Sequence, residues 1–235
     1  MNAREKLFAA LPEGDKPDIE AERRTLVERL HTLTFGQGDA DVVRFIERAR
    51  EAGSTALRCA TIDEAVGHII AAAERIAATT GSTCRCIAAA HELLARAGLQ
   101  EGLRKVGSAL ESVTDAALGS AAERARDRYA QTDIGITVAI AGLADSGAIL
   151  ISSSQSESRS VSLLPMEHIA LLPAGRILPS FLQAAPMLRT LATRDGTSAA
   201  TLVGGPSKTA DIEKVLVTGV HGPAALTILV VDDID

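Results

Sequence analysis

Tryptophan is absent from this 235-residue chain, and aromatic side chains amount to one Tyr and four Phe. That scarcity argues against base-stacking platforms and aromatic sugar clamps. The core has to be assembled from Ala, Leu, Ile and Val. Cysteine is sparse too: Cys59, Cys84 and Cys86 are the only three, which supports reduced thiols rather than a disulfide framework. Basic excess is also missing. The formal net charge is −6, so no surplus exists to neutralise a phosphate backbone and nucleic acid is a poor partner. No uncharged apolar run reaches the ~18 residues of a membrane span; the longest stretch, around 134–151, is interrupted by Asp145 and several Gly. Asp15, Asp18 and Glu20 break up any leader-like apolar core near the start. These absences together predict a cytoplasmic protein.

What is present is a globular composition, 46% hydrophobic and 23% charged, enough for a sizeable core. Residues 1–38 read as an N-terminal helical arm, with Pro12, Gly14 and Pro17 ending a short first helix and Ile19, Leu26, Val27, Leu30 and Leu33 striping a second. From residue 39 to 235 the texture is one α/β domain. A helical stripe (Val42, Phe45, Ile46, Ala49) precedes a strand at Thr55–Cys59. Thr61-Ile-Asp-Glu64 then matches a capping box before a helix with Val66, Ile69, Ile70 and Ala73 on one face. A strand at 84–89, a helix at 91–97 and a further helix at 119–131 follow. Beyond Thr132 come short apolar strands: Thr137–Ala141 and Ala148–Ile151, expected to pair as a hairpin around Asp145-Ser-Gly147, then Ile169–Leu172, Ala199–Val203 and Leu226–Val231. Helices near 179–192 and 209–217 separate the later ones. The alternation predicts a mostly parallel sheet with helices on both faces, with Leu226–Val231 central because it is apolar on both sides.

Several segments carry chemical potential. The run Thr201-Leu-Val-Gly-Gly-Pro-Ser-Lys-Thr-Ala-Asp-Ile-Glu213 reads as strand, glycine-rich turn and helix start. Gly205 allows close backbone approach, and Ser207, Lys208 and Thr209 suit either an anion at a helix N-terminus or plain capping. Thr218-Gly-Val-His-Gly-Pro223 places His221 in a turn, as a structural residue or a proton carrier. Asp145 fits a turn residue, or a base or nucleophile if it faces a cleft. Between Ser152 and Ser162 seven of eleven residues are Ser, and Arg159 lies among them. This is either a solvated edge or a hydroxyl-lined flap in which Arg159 binds a carboxylate. His168 follows just before an apolar strand. Cys84 and Cys86 share a strand face, but no nearby Cys or His completes a zinc set at standard spacing, and three thiols cannot hold a four-thiolate cluster. Small buried residues are the better reading, with no metal expected.

The string Gly205-Pro-Ser-Lys-Thr-Ala-Asp-Ile-Glu213 followed by Thr218-Gly-Val-His-Gly-Pro223 resembles the C-terminal signature of the LUD-domain family. Asp133-Ile-Gly-Ile-Thr137 with Ala139-Ile-Ala141, and Arg159-Ser-Val-Ser-Leu-Leu-Pro165 with His168-Ile169, resemble its central segments. The hairpin shows Asp145-Ser-Gly147 where the family usually has Glu-Thr-Gly, and Lys208 stands where Arg is common. The resemblance implies a fold of the NagB/RpiA/CoA-transferase group. It further implies a part in oxidising L-lactate to pyruvate beside iron–sulfur partner proteins, with no cofactor on this chain, so that the electrons leave through another component. A small carboxylate would sit at the Gly205–Thr209 turn with Arg159, and Asp145, His168 or His221 would supply any proton chemistry. The same residues leave open two other roles: an independent isomerase or acyl transferase acting on a phosphorylated or CoA-linked substrate, and a non-catalytic assembly subunit.

Overall fold

A computed structural model of the chain describes residues 38–96, 98–113, 129, 131–154, 158–193, 197–209, 217–219 and 221–233. Residues 1–37 of the expected arm and most of the expected helix at 119–131 lie outside them. Helix α1 (Asp39–Glu51) leads into strand β1 (Thr55–Thr61) and helix α2 (Ile62–Thr80). Strand β2 (Arg85–Ala89) is followed by the short helices α3 (Glu92–Arg96) and α4 (Leu99–Lys105) and by β3 (Ala109–Val113). Strands β4 (Ile134–Val138), β5 (Ala141–Leu143) and β6 (Ala148–Ser154) precede a one-turn helix α5 (Ser160–Leu163), and β7 (Glu167–Pro173) comes next. The C-terminal part comprises β8 (Ile177–Leu178), α6 (Phe181–Thr193), β9 (Thr197–Val203), the two-residue strands β10 (Lys208–Thr209) and β11 (Val217–Thr218), and β12 (Ala225–Asp233).

Six strands form a parallel sheet in the order β1-β12-β7-β4-β2-β3. Residues paired across a parallel sheet share a face, and the register therefore assigns the core. Ile134, Ile136 and Val138 join Cys59, Cys86, Ile169, Leu171, Leu229 and Val231 under α2 and α4. The opposite face gathers Ala56, Ala170, Leu172, Ile228 and Val230 under α1 and the second sheet. Strand β12 is therefore buried on both faces, through Leu229 and Val231 on one and Ile228 and Val230 on the other, as its unbroken apolar run predicts.

The start of α2 shows how local sequence directs this architecture. Thr61 Oγ1 accepts the Glu64 N–H at 3.3 Å, and Glu64 Oε2 accepts the Ala60 N–H at 2.7 Å. The reciprocal pair ties the helix to the end of β1, and Gly81 ends the helix in a left-handed conformation at φ 67°. Replacing Thr61 with Ala is expected to cost about 1 kcal/mol, seen as a lower urea midpoint at unchanged slope.

Two expectations about the strands need correction. Thr137 does not enter the hairpin; it stays in the parallel sheet opposite Ala170. The chain leaves that sheet at Ala139, whose N–H still bonds Leu171 O, while the Ile140 N–H already bonds Leu150 O. The hairpin is β5–β6, with Ala141 opposite Leu150 and Leu143 opposite Ala148. Ala199–Val203 also lies outside the parallel sheet: β9 runs antiparallel to β6 in a separate four-stranded sheet of order β8-β5-β6-β9. Gly142 makes this layering possible, since a Cβ there would stand 2.7 Å from Leu172 and 2.9 Å from Phe45.

Candidate functional site

The strand order contains a switch point. From β2 the chain crosses outward to β3 by way of α3 and α4 on one face. From β4 it crosses the other way, to β7, by way of β5, β6 and α5 on the opposite face. In open α/β sheets, diverging connections of this kind leave a crevice at the carboxyl ends of the two strands. A small cleft, open to solvent, lies there. Ala89 at the end of β2 and Thr137 and Val138 at the end of β4 form its floor. Ile151, Ser152 and Ser153 of β6, Thr201 of β9, and Ser158, Arg159 and Ser162 around α5 form its walls.

The position of Arg159 follows from Gly135. A Cβ on Gly135 would lie 1.9 Å from the Val161 carbonyl oxygen and 2.9 Å from Pro165, so only glycine lets the backbone of α5 rest directly on β4. Val161 is fully buried there. Ser158 Oγ accepts the Ser160 N–H at 3.3 Å, and Ser162 Oγ donates to Arg159 O at 3.2 Å. The serine run is thus partly local scaffolding that holds Arg159 at the cavity mouth. The Arg159 side chain is exposed and makes no ion pair among the described residues.

His168 stands behind the floor. It is opposite Gly135 in the register, and its Nε2 lies 2.8 Å from Thr137 Oγ1. The residue is only 1% exposed, and this burial pushes its pKa down to about 4. His168 is therefore neutral near pH 7. Its ring is hydrogen-bonded to the Thr137 hydroxyl at the cavity floor. The asymmetry of charge is the main electrostatic feature: one guanidinium, a set of hydroxyls, and a neutral imidazole supporting one of them. Such a set binds a carboxylate through charge-assisted bonds and a neighbouring oxygen through hydroxyls.

The other residues singled out from sequence lie elsewhere. Lys208 and Thr209 form β10, paired antiparallel with β11, so no helix opens at Ser207 or Lys208 as the sequence suggests; residues 210–216 are outside those described. Ser207 is held in the ribbon by its N–H to Pro223 O at 2.9 Å and by Gly219 N–H to its own carbonyl at 3.0 Å. The two C-terminal motifs thus meet as one backbone unit. Lys208 Nζ donates to Ala52 O at 2.7 Å, satisfying a carbonyl at the C-terminal end of α1. Gly205, at φ 144°, closes on the same Ala52 oxygen, which would be 2.9 Å from a Cβ. This places Gly205 and Lys208 beside the amino end of β1, away from the cavity lining. His221 is exposed in the turn before β12. Asp145 is exposed at the hairpin tip, where its Oδ2 accepts the Phe181 N–H at 3.4 Å and closes the start of α6. Cys84 and Cys86 are buried in the core with their sulfurs 3.8 Å apart.

The serine run around Arg159 stands out in the sequence as a hydroxyl-lined flap, and Ser152, Ser153, Ser158 and Ser162 do line the cleft; the polar lining residues to which sequence reasoning gives no site role are Thr137 and Thr201. Thr137 lies inside the central Asp-Ile-Gly-Ile-Thr string, and its only local signal is being the sole hydroxyl on a strand otherwise buried and apolar.

The fold is a parallel α/β sheet with a polar crevice at its switch point, and the comparisons define its family. The LUD-domain family model matches residues 42–231, and the chain belongs to that family. Among its relatives are proteins named lactate utilization protein C. That of an Exiguobacterium species is 40% identical over 115 residues, 48% of this chain and 50% of the relative. That of Bacillus subtilis is 41% identical over 105 residues, 44% of each. That of Shouchella clausii is 45% identical over 103 residues, 43% of this chain and 44% of the relative. The chain thus spans about half the length of the curated relatives it matches. A crystal structure of a DUF162-family protein from Deinococcus radiodurans has a similar fold, with a TM-score of 0.50 over 82% of this chain and 96% of that one at 17% identity. Among the described residues no helix is long and apolar enough to cross a membrane.

Proposed function

We propose that this chain is a cytoplasmic component of lactate utilization that holds lactate, pyruvate or a closely related small acid in the Arg159 cavity. Iron–sulfur partner proteins receive the electrons when L-lactate is oxidised to pyruvate. The observation that carries the reading is the placement of one guanidinium and several hydroxyls over the switch-point crevice. Relatives named for lactate utilization supply the choice of acid. Arg159 pairs with the carboxylate in a planar fork. The Thr137 hydroxyl, oriented by neutral His168, and Ser162 face the 2-hydroxyl or 2-keto oxygen.

Calorimetric titration of the full chain with lactate and with pyruvate tests this. Charge-assisted hydrogen bonds contribute about 1.5–3 kcal/mol, so Arg159→Ala should weaken binding about 10-fold to 100-fold. Arg159→Lys should recover only part of the loss. Lys208→Ala should bind normally, because that ammonium is engaged with Ala52 O. Equal heats for the parent and Arg159→Ala, with a loss in Lys208→Ala, would move the carboxylate to the glycine turn and overturn this reading.

A further inference from the structure

We propose that Cys59, Glu64 and His68 form a binding site for a zinc-like divalent transition metal at the carboxyl end of β1. Their donor atoms, one thiol sulfur, one carboxylate oxygen and one imidazole nitrogen, all lie within 4.8 Å of one another. This set is chemically mixed in the way zinc prefers: one thiolate, one imidazole and one carboxylate, with room for water as a fourth ligand. It differs from a cluster of surface acids, which would favour hard cations.

The local fold accounts for the convergence. Cys59 is on the face of β1 that α2 covers, and it is fully buried. Glu64 and His68 are four residues apart on α2 and therefore project from one side of the helix. Both are exposed, so they cover the sulfur from the solvent side. In a tetrahedral zinc site neighbouring donors are about 3.5 Å apart, and rotation of the Glu64 and His68 side chains can close the remaining distance. Glu64 is also oriented: one of its two carboxylate oxygens accepts the Ala60 N–H at 2.7 Å, the kind of outer support that steadies a ligating carboxylate. The site is on the same rim of the sheet as the Arg159 cavity but three strands away, since β12 and β7 stand between β1 and β4. It is a separate site and does not depend on the carboxylate reading. On binding, a metal–sulfur bond forms, the thiol proton passes to solvent, and no oxidation state changes.

Cobalt(II) is the probe, because a thiolate ligand produces a near-ultraviolet charge-transfer band that carboxylate and imidazole ligands do not. Metal-stripped full-length protein should develop that band with one equivalent of cobalt, and zinc should bleach it. Cys59→Ala should abolish the band. His68→Ala, a substitution at an exposed helix position, should keep the fold by circular dichroism and weaken cobalt binding by more than about 10-fold. The double variant Cys84→Ala/Cys86→Ala should retain the band. No band in the parent, a band that survives in Cys59→Ala, equal affinity in His68→Ala, or a band lost with Cys84 and Cys86 would each overturn the proposal.

Discussion

Gly135→Ala will be severely destabilising. The new Cβ would be 1.9 Å from Val161 O and 3.0 Å from Val161 C. Both belong to backbone, so no rotamer change relieves the contact. Gly135 is buried in β4 between β2 and β7, and α5 has to lift off the sheet to make room. We expect a loss of about 4 kcal/mol or more, equivalent to at least ~8 °C in melting temperature for a domain of this size. Gly67→Ala is the natural control. Gly67 is an exposed residue of α2 where a Cβ meets nothing within 4 Å. That change should raise stability by about 0.5–1 kcal/mol. If Gly135→Ala folds, it should also lose carboxylate binding, because Arg159 is carried by the displaced turn. A melting temperature within a degree or two of the parent would contradict the packing described for α5.

The second large effect is a dependence on pH. His168 is neutral and buried, with its pKa pushed down to about 4 from the ordinary 6.5. In the unfolded chain the ring takes up a proton below about pH 6.5, whereas the folded protein resists until about pH 4. Between those values the unfolded state binds more protons, so stability rises with pH across the window. The contribution is fully present above about pH 6.5 and is lost as pH falls to about 4. A difference of this size corresponds to about 3 kcal/mol at most. Urea melts of the parent and of His168→Gln at pH 7 and pH 4.5 isolate the effect. The parent should lose more stability than the variant on acidification, by about 2–3 kcal/mol. Parallel losses in the two proteins would mean that this ring is solvated or already charged in the folded state.

Much of the framework is legible in the sequence because it is encoded locally. The α2 start is readable from Thr61 and Glu64 alone, since both halves of the capping box are three residues apart. β12 is readable because only a strand covered on both sides tolerates an unbroken run such as Leu226–Val231. The division into two sheets is not readable, because it depends on which strand each edge meets. Thr137 continues an apolar run that fits a hairpin arm as well as a parallel strand, and only the pairing with Ala170 decides.

The candidate site divides along the same line. Arg159 stands out as a cation within a serine run, a local signal that survives folding. Thr137 does not, because its link to His168 spans 31 residues. Lys208 shows the converse. Its glycine-rich setting resembles an anion cradle, yet its partner is a carbonyl 156 residues earlier in the chain. Asp145 reads both as a turn residue and as a nucleophile. It is exposed at the hairpin tip, where its carboxylate accepts the Phe181 N–H.

A crystal structure of the full chain grown with saturating lactate or pyruvate is the most direct measurement of the central claim. The account predicts a carboxylate in bidentate contact with the Arg159 guanidinium, and its second oxygen function within hydrogen-bond distance of the Thr137 or Ser162 hydroxyl. An acid seated instead against the Gly205–Lys208 backbone, or an empty switch-point crevice at saturating ligand, would contradict it.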